Sequence, residues 1–215
     1  MRLDQANRLL EPGHLDLETG VQRLESGQLL VAALTPLRGV KGRMVEWWFG
    51  FLETSEHYGW WHPSDHEWCE WDGERGTGVY VGGTHRTHEY IGGELQKLEI
   101  HFREPSRVLD TSRFQEAGVS SLQYARVGPL ESEGWIGHVI HLCRDTGYGT
   151  EMRSRFWLGD IEPVPEPLPP ETIAALTPET AGRALLRHCS EEMTYLGGFL
   201  PALYAKETRR SGGRR

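Results

Sequence analysis

His188 and Glu192 stand four residues apart in a stretch whose apolar residues recur at helical spacing, so both project from one face about one turn apart. Leu185 before them and Tyr195 and Leu196 after them continue the same stripe, which turns an imidazole and a carboxylate toward the core. Burying such a pair is costly unless something satisfies both groups. A shared metal cation does so, and a direct His–Glu hydrogen bond is the simpler alternative. A second cluster is Trp60-Trp61-His62-Pro63-Ser64-Asp65-His66, where two imidazoles flank a proline-stiffened loop. That loop can present one of them as a ligand or form a hydrogen-bonded corner. A strand carboxylate would complete the site. In THRTHEY, alternation puts His85, Thr87 and Glu89 on one face, with Glu89 the preferred acid and Glu94, beyond the next turn, the fallback. His138 and His141 lie on opposite faces of a later strand, so only one of them can enter the same interior.

The elements that must carry these groups can be traced along the chain. Residues 1–40 read as an irregular N-terminal segment, amphipathic over Leu3–Leu10, broken at Pro12-Gly13 and apolar-periodic from Val21 to Leu34. Met44–Phe51 (MVEWWFGF) has the aromatic and β-branched content of a strand, interrupted by Glu46. Between Val79 and Phe102, two β-like runs meet at Gly92-Gly93, a hairpin signal. Runs at 117–126, 135–143 and 150–158 extend this into an antiparallel meander. Five prolines from Pro163 to Pro170 then form a stiff connector. Thr177-Pro178-Glu179 starts a long helix, with Gly197-Gly198 as a stop or kink.

The composition is that of one globular domain. In 215 residues, 23 basic against 31 acidic side chains give a net charge of −8, which argues against a nucleic-acid partner. The longest apolar stretch, Leu29–Leu34, is too short to span a bilayer. Three widely spaced cysteines and no leader-like opening point to a reducing cytoplasm. Six of the eight tryptophans fall between Trp47 and Trp71, together with three of the ten histidines, a concentration too local for bulk core.

Taken together, EWWF (Glu46–Phe49), a tyrosine-containing lead (Tyr58) into WHPSDH, HEYIGG (His88–Gly93), EMRSRFWLGD (Glu151–Asp160) and the late HCSEE (His188–Glu192) resemble the 2,4-diacetylphloroglucinol hydrolase family, which includes phloretin hydrolase. The resemblance runs from about Met44 to about Leu203. It implies an α+β helix-grip (START-like) fold, in which a curved antiparallel sheet wraps a long C-terminal helix. The expected domain covers 41–205, after the segment 1–40 and before a disordered basic tail at 206–215. It further implies one Zn²⁺ per chain held by His62, Glu89 (or Glu94), His188 and Glu192, and hydrolysis of the carbon-carbon bond between an acyl group and a phenolic ring. Asp65, His138 and His141 are the candidate proton donors. Trp61, Asp65, Tyr148 and Trp157 are the candidate contacts for a small aromatic ketone substrate, with Trp47 and Phe49 as further aromatic walls. The chain is shorter than those enzymes before the EWWF run, and a homodimer is a possible assembly. The alternative reading is a helix-grip module that binds a small apolar or aromatic ligand without catalysis.

Overall fold

A computed structural model describes residues 1–212, with side chains to residue 209. Eight strands form one antiparallel sheet: β1 (Gly20–Arg23), β2 (Leu29–Arg38), β3 (His66–Asp72), β4 (Thr84–Ile91), β5 (Glu94–Phe102), β6 (Val119–Pro129), β7 (Trp135–Asp145) and β8 (Gly149–Glu162). Their spatial order is β1-β2-β8-β7-β6-β5-β4-β3: one meander from β3 to β8, closed by the β1–β2 hairpin beside β8. The helices are α1 (Gly42–Phe51), α2 (Ser55–Trp61), α3 (Pro170–Leu176) and α4 (Glu179–Gly212). Helix α4 touches β1 and β2 near one edge of the sheet and β4 near the other, so the sheet curves around it in the helix-grip arrangement.

Two glycine positions set the approach of helix and sheet. At Gly182, a Cβ would stand 2.4 Å from Leu29 Cδ2, so glycine lets the start of α4 settle on β2 without displacing that side chain. Gly92 and Gly93, at φ 65° and 84°, form the two-residue turn between β4 and β5, as the sequence signals. A Cβ on Gly92 would lie 2.8 Å from that of Ala184, which brings the hairpin tip against α4.

The inner face packs Trp48, Phe49, Met152, Cys189, Met193, Leu196 and Leu200 into one buried cluster. The outer face is buried as well. A 3₁₀ helix at Leu3–Leu10 lays Ala6, Leu9 and Leu10 over Leu30, Tyr124, Ile140, Leu142 and Trp157. Arginines on β7 and β8 fasten this N-terminal segment by donating to its carbonyls: Arg144 to Leu9 and Glu11, Arg153 to Gly13, and Arg155 to Leu17. Glu18 accepts from both Arg153 and Arg155, which are 2% and 0% exposed. Among the described residues, no helix is long and apolar enough to cross a membrane.

Several expectations are corrected. MVEWWFGF is the helix α1, because Val45, Trp48 and Phe49 recur at helical spacing against the sheet and their packing overrides the β propensity of the run. A carboxylate from a distant strand completes its start, since Asp145 Oδ1 accepts from Gly42 N–H at 2.8 Å. The boundary at residue 41 does not divide the fold, because β2 pairs with β8 along ten residues. Helix α4 continues through Gly197-Gly198, where Leu196, Leu200 and Phe199 pack against the inner core. Tyr195, expected in the buried stripe, is 45% exposed. Where a disordered tail was expected, 206–212 are helical, and 213–215 lie outside the described residues.

Glu18→Ala leaves two buried guanidinium groups without an acid, an uncompensated-charge defect worth about 3–5 kcal/mol. Urea denaturation should show a loss of that order, and a change within about 0.5 kcal/mol would refute the clamp.

Candidate metal centre

Four side chains converge at the inner face beside α4. His66 Nε2 lies 3.3 Å from His188 Nε2, 3.4 Å from Glu89 Oε2 and 3.7 Å from Glu192 Oε2, while His188 Nε2 lies 3.2 Å from Glu89 Oε2. All four residues are buried. Their convergence follows from two local geometries. His66 opens β3 directly opposite Glu89 on β4, and His188 and Glu192 occupy one face of α4 a turn apart.

The outward-facing atoms fix how the rings are presented. His66 Nδ1 is 3.0 Å from the carbonyl of Tyr58, whose ring stacks on it at 3.7 Å and 5°. His188 Nδ1 is 3.2 Å from Asp65 Oδ2. A carbonyl and a carboxylate only accept, so each Nδ1 carries a hydrogen, and a ring that gives up its second proton turns an Nε2 lone pair to the centre. Two imidazole lone pairs and two carboxylates thus face one another, an all-acceptor set that a cation or captured protons must satisfy. Tyr58 O–H adds a donor at the edge, 2.9 Å from Glu89 Oε2. The residues present therefore suit a borderline divalent metal with imidazole and carboxylate ligands.

Without a cation, the titration of the set records the strain. Burial pushes Glu192 up to about 8, aided by the charge of Glu89 against the opposing pull of His188. Burial works to lower His188, yet Glu89, Glu192 and Asp65 together hold its ring up to about 9. Glu89 is buried too, but hydrogen bonds from His188 and His66 keep it well below the usual carboxylate range.

Of the expected ligand set, Glu89, His188 and Glu192 come together, and His66 stands with them where His62 was expected. His62 stands beside both histidines, its ring 5.5 Å from that of His66 and parallel to that of His188 at 4.9 Å, and it forms with Asp65 and His188 a second group whose ligand atoms lie within 4.8 Å of one another. Its Nδ1 accepts from Asp65 N–H at 3.2 Å, and its Nε2 lies 3.5 Å from both Asp65 and Glu191. Glu94 is exposed, five residues beyond Glu89 and past the hairpin turn.

The centre opens into a cavity of about 650 Å³ between α4 and the sheet. Trp61, Phe49 and His141 line it. His141 Nδ1 is 2.8 Å from Ser154 Oγ, and burial lowers the ring to about 4, so it is neutral at pH 7 and serves as a hydrogen-bond partner. Four other expected site residues point elsewhere. Strand parity sends His138 and Trp157 to the outer face, where His138 contacts Tyr124 and Asp160, and Trp157 Nε1 donates to Met1 O at 3.0 Å. Asp65 backs His188 and does not line the cavity. Tyr148, 39% exposed in the β7–β8 turn, donates to Glu151 Oε1 at 2.9 Å. Trp47 packs against Phe51 and Tyr204. Tyr58 and Gln123 are cavity residues that carried no role in the sequence reading; an eight-residue spacing from Tyr58 to His66 was the available signal.

Residues 1–205 match the DAPG hydrolase PhiG domain family. A 2,4-diacetylphloroglucinol hydrolase of Pseudomonas sp is 27% identical over 94% of this chain and 76% of its own length. A phloretin hydrolase of Eubacterium ramulus is 28% identical over 84% and 69%. Among solved structures, protein Ms6760 from Mycobacterium smegmatis superposes with a TM-score of 0.48 at 12% identity, over 86% of this chain and 98% of that one.

The raised titrations of His188 and Glu192 have one sign in their effect on metal-free protein. Stability from His188 is full below about 6.5 and lost as pH rises through about 9, and that from Glu192 is full below about 4.5 and lost through about 8. In chelator, the melting temperature should fall from pH 6.5 to 9, and less steeply in Glu192→Gln; a flat profile in the unsubstituted protein would contradict the all-acceptor cluster.

Proposed function

This chain belongs to the DAPG hydrolase PhiG domain family, and we propose that it is a zinc-dependent hydrolase of the bond between an acyl carbon and a phenolic, phloroglucinol-like ring. The observation that carries the reading is the convergence of His66, Glu89 and His188 on one point, with Glu192 3.7 Å from His66, at the wall of an aromatic-lined cavity. In this reading His66, not His62, is the loop-side ligand, and Glu89, His188 and Glu192 are the others. Zinc held there supplies an acidified water and polarisation of the acyl oxygen.

The protein's own groups do the remaining work. Tyr58 holds His66 by stacking and by its carbonyl, and steadies Glu89 by its hydroxyl, which burial and Glu89 keep protonated. Asp65 fixes the tautomer of His188 from behind. Glu192 has the longest approach to the other three and is the carboxylate placed to take a proton from the attacking water. The water's hydroxyl joins the acyl carbon, the acyl–ring bond breaks, and the ring carbon receives a proton, so the products are a carboxylic acid and the deacylated phenol. Phe49, Trp61 and neutral His141 flank the ring, with His141 as a hydrogen-bond partner for a phenolic hydroxyl.

Elemental analysis of purified protein should find about one zinc per chain, the stoichiometry of one such site. The zinc should be lost in His66→Ala and retained in His62→Ala; the opposite pattern would return the ligand role to His62. Release of carboxylic acid from acylphloroglucinols should stop in chelator and return with zinc. Zinc-loaded protein that releases none would leave a ligand-binding module. Asp65→Asn should weaken zinc binding by about 10–100-fold while the fold persists.

A further inference from the structure

We propose that the acyl group this protein accepts is a long apolar chain, an inference that rests on the hydrolase reading above. At about 650 Å³, the cavity is in the middle of the roughly 300–1,000 Å³ range that encloses drug-sized molecules. A phenolic ring with a two-carbon acyl group would leave most of it unfilled. The helical wall runs from Glu192 back through His188 and Leu185 to Thr180. That is 192 − 180 = 12 residues, about 18 Å at a rise of ~1.5 Å per residue.

Aromatic and polar groups meet at the inner end, where Phe49, Phe102 and Phe156 stand with Gln123 and His141 and suit a hydroxylated ring. Toward the start of α4 the walls are Leu98, Val127, Leu158, Ile161, Leu176 and Leu185. An acyl carbonyl held at His66, Glu89, His188 and Glu192 has its ring on one side and its alkyl carbon on the other. The ring's hydroxyls match the polar end, and the alkyl group is left to the apolar arm. Ile136 and Leu176, 38% and 60% exposed, line the cavity beside Glu94, Gln96, Thr177 and Thr180.

The test is a series of acetyl-, butanoyl-, hexanoyl- and octanoylphloroglucinol with the zinc-loaded protein. Cleavage is followed by product release, and binding by tryptophan fluorescence. Each added methylene should raise kcat/KM about fourfold, the equivalent of about 0.8 kcal/mol of burial, until the arm is full. Binding should strengthen in the same order. Val127→Phe, which fills the arm, should lower the octanoyl-to-acetyl ratio at least tenfold. Acetyl- and octanoylphloroglucinol cleaved and bound equally well would overturn the inference and leave the hydrolase reading standing. Binding that strengthens with chain length, without cleavage at any length, would remove the hydrolase reading and keep the apolar arm as a binding site. No binding and no cleavage at any length would overturn both.

Discussion

Everything near α4 is arranged around one electrostatic constraint: two carboxylates and two imidazoles, all buried, are turned toward each other at the wall of a cavity. Such a set is stable only if positive charge enters it. Each neighbour holds the set in that condition. The Tyr58 carbonyl and the Asp65 carboxylate take up the outer ring nitrogens, which holds both rings with Nε2 toward Glu89. The ladder between β3 and β4 seats His66 opposite Glu89, and α4 closes the fourth side with residues one turn apart.

The other face of the sheet solves a different problem. A sheet that grips a helix leaves its convex side bare, and here the first residues of the chain cover it. Arginines of β7 and β8 hold down backbone carbonyls that would otherwise lack partners. This cover is why His138 is buried although it points away from the cavity, and why Arg153 and Arg155 need Glu18. Burial alone is thus a poor guide to the site in this protein, since polar residues are enclosed on both sides of the sheet.

Much of this was legible in the residues, wherever local spacing decides. The β4–β5 turn at Gly92-Gly93, the strands of the meander, the start of α4 after Thr177 and the shared face of His188 and Glu192 all follow from periods of two or of three to four residues. Two kinds of feature were not legible. In MVEWWFGF, aromatic content suggested a strand, while the spacing of Val45, Trp48 and Phe49 belonged to a helix whose partners are distant in sequence. That His66 and not His62 stands opposite Glu89 is a matter of cross-strand register that local pattern does not contain. Trp157 failed by a single step of parity: Phe156 and Leu158 line the cavity, and the tryptophan between them faces out.

The turn at Gly92 has a mechanical meaning beyond its geometry. It rests on Ala184, one helical turn before His188, and it caps the strand that carries Glu89. The tip that rests on α4 and the strand that presents Glu89 are therefore one continuous piece of hairpin, so the seating of that tip and the position of a buried carboxylate are mechanically linked through a turn that carries no reactive group.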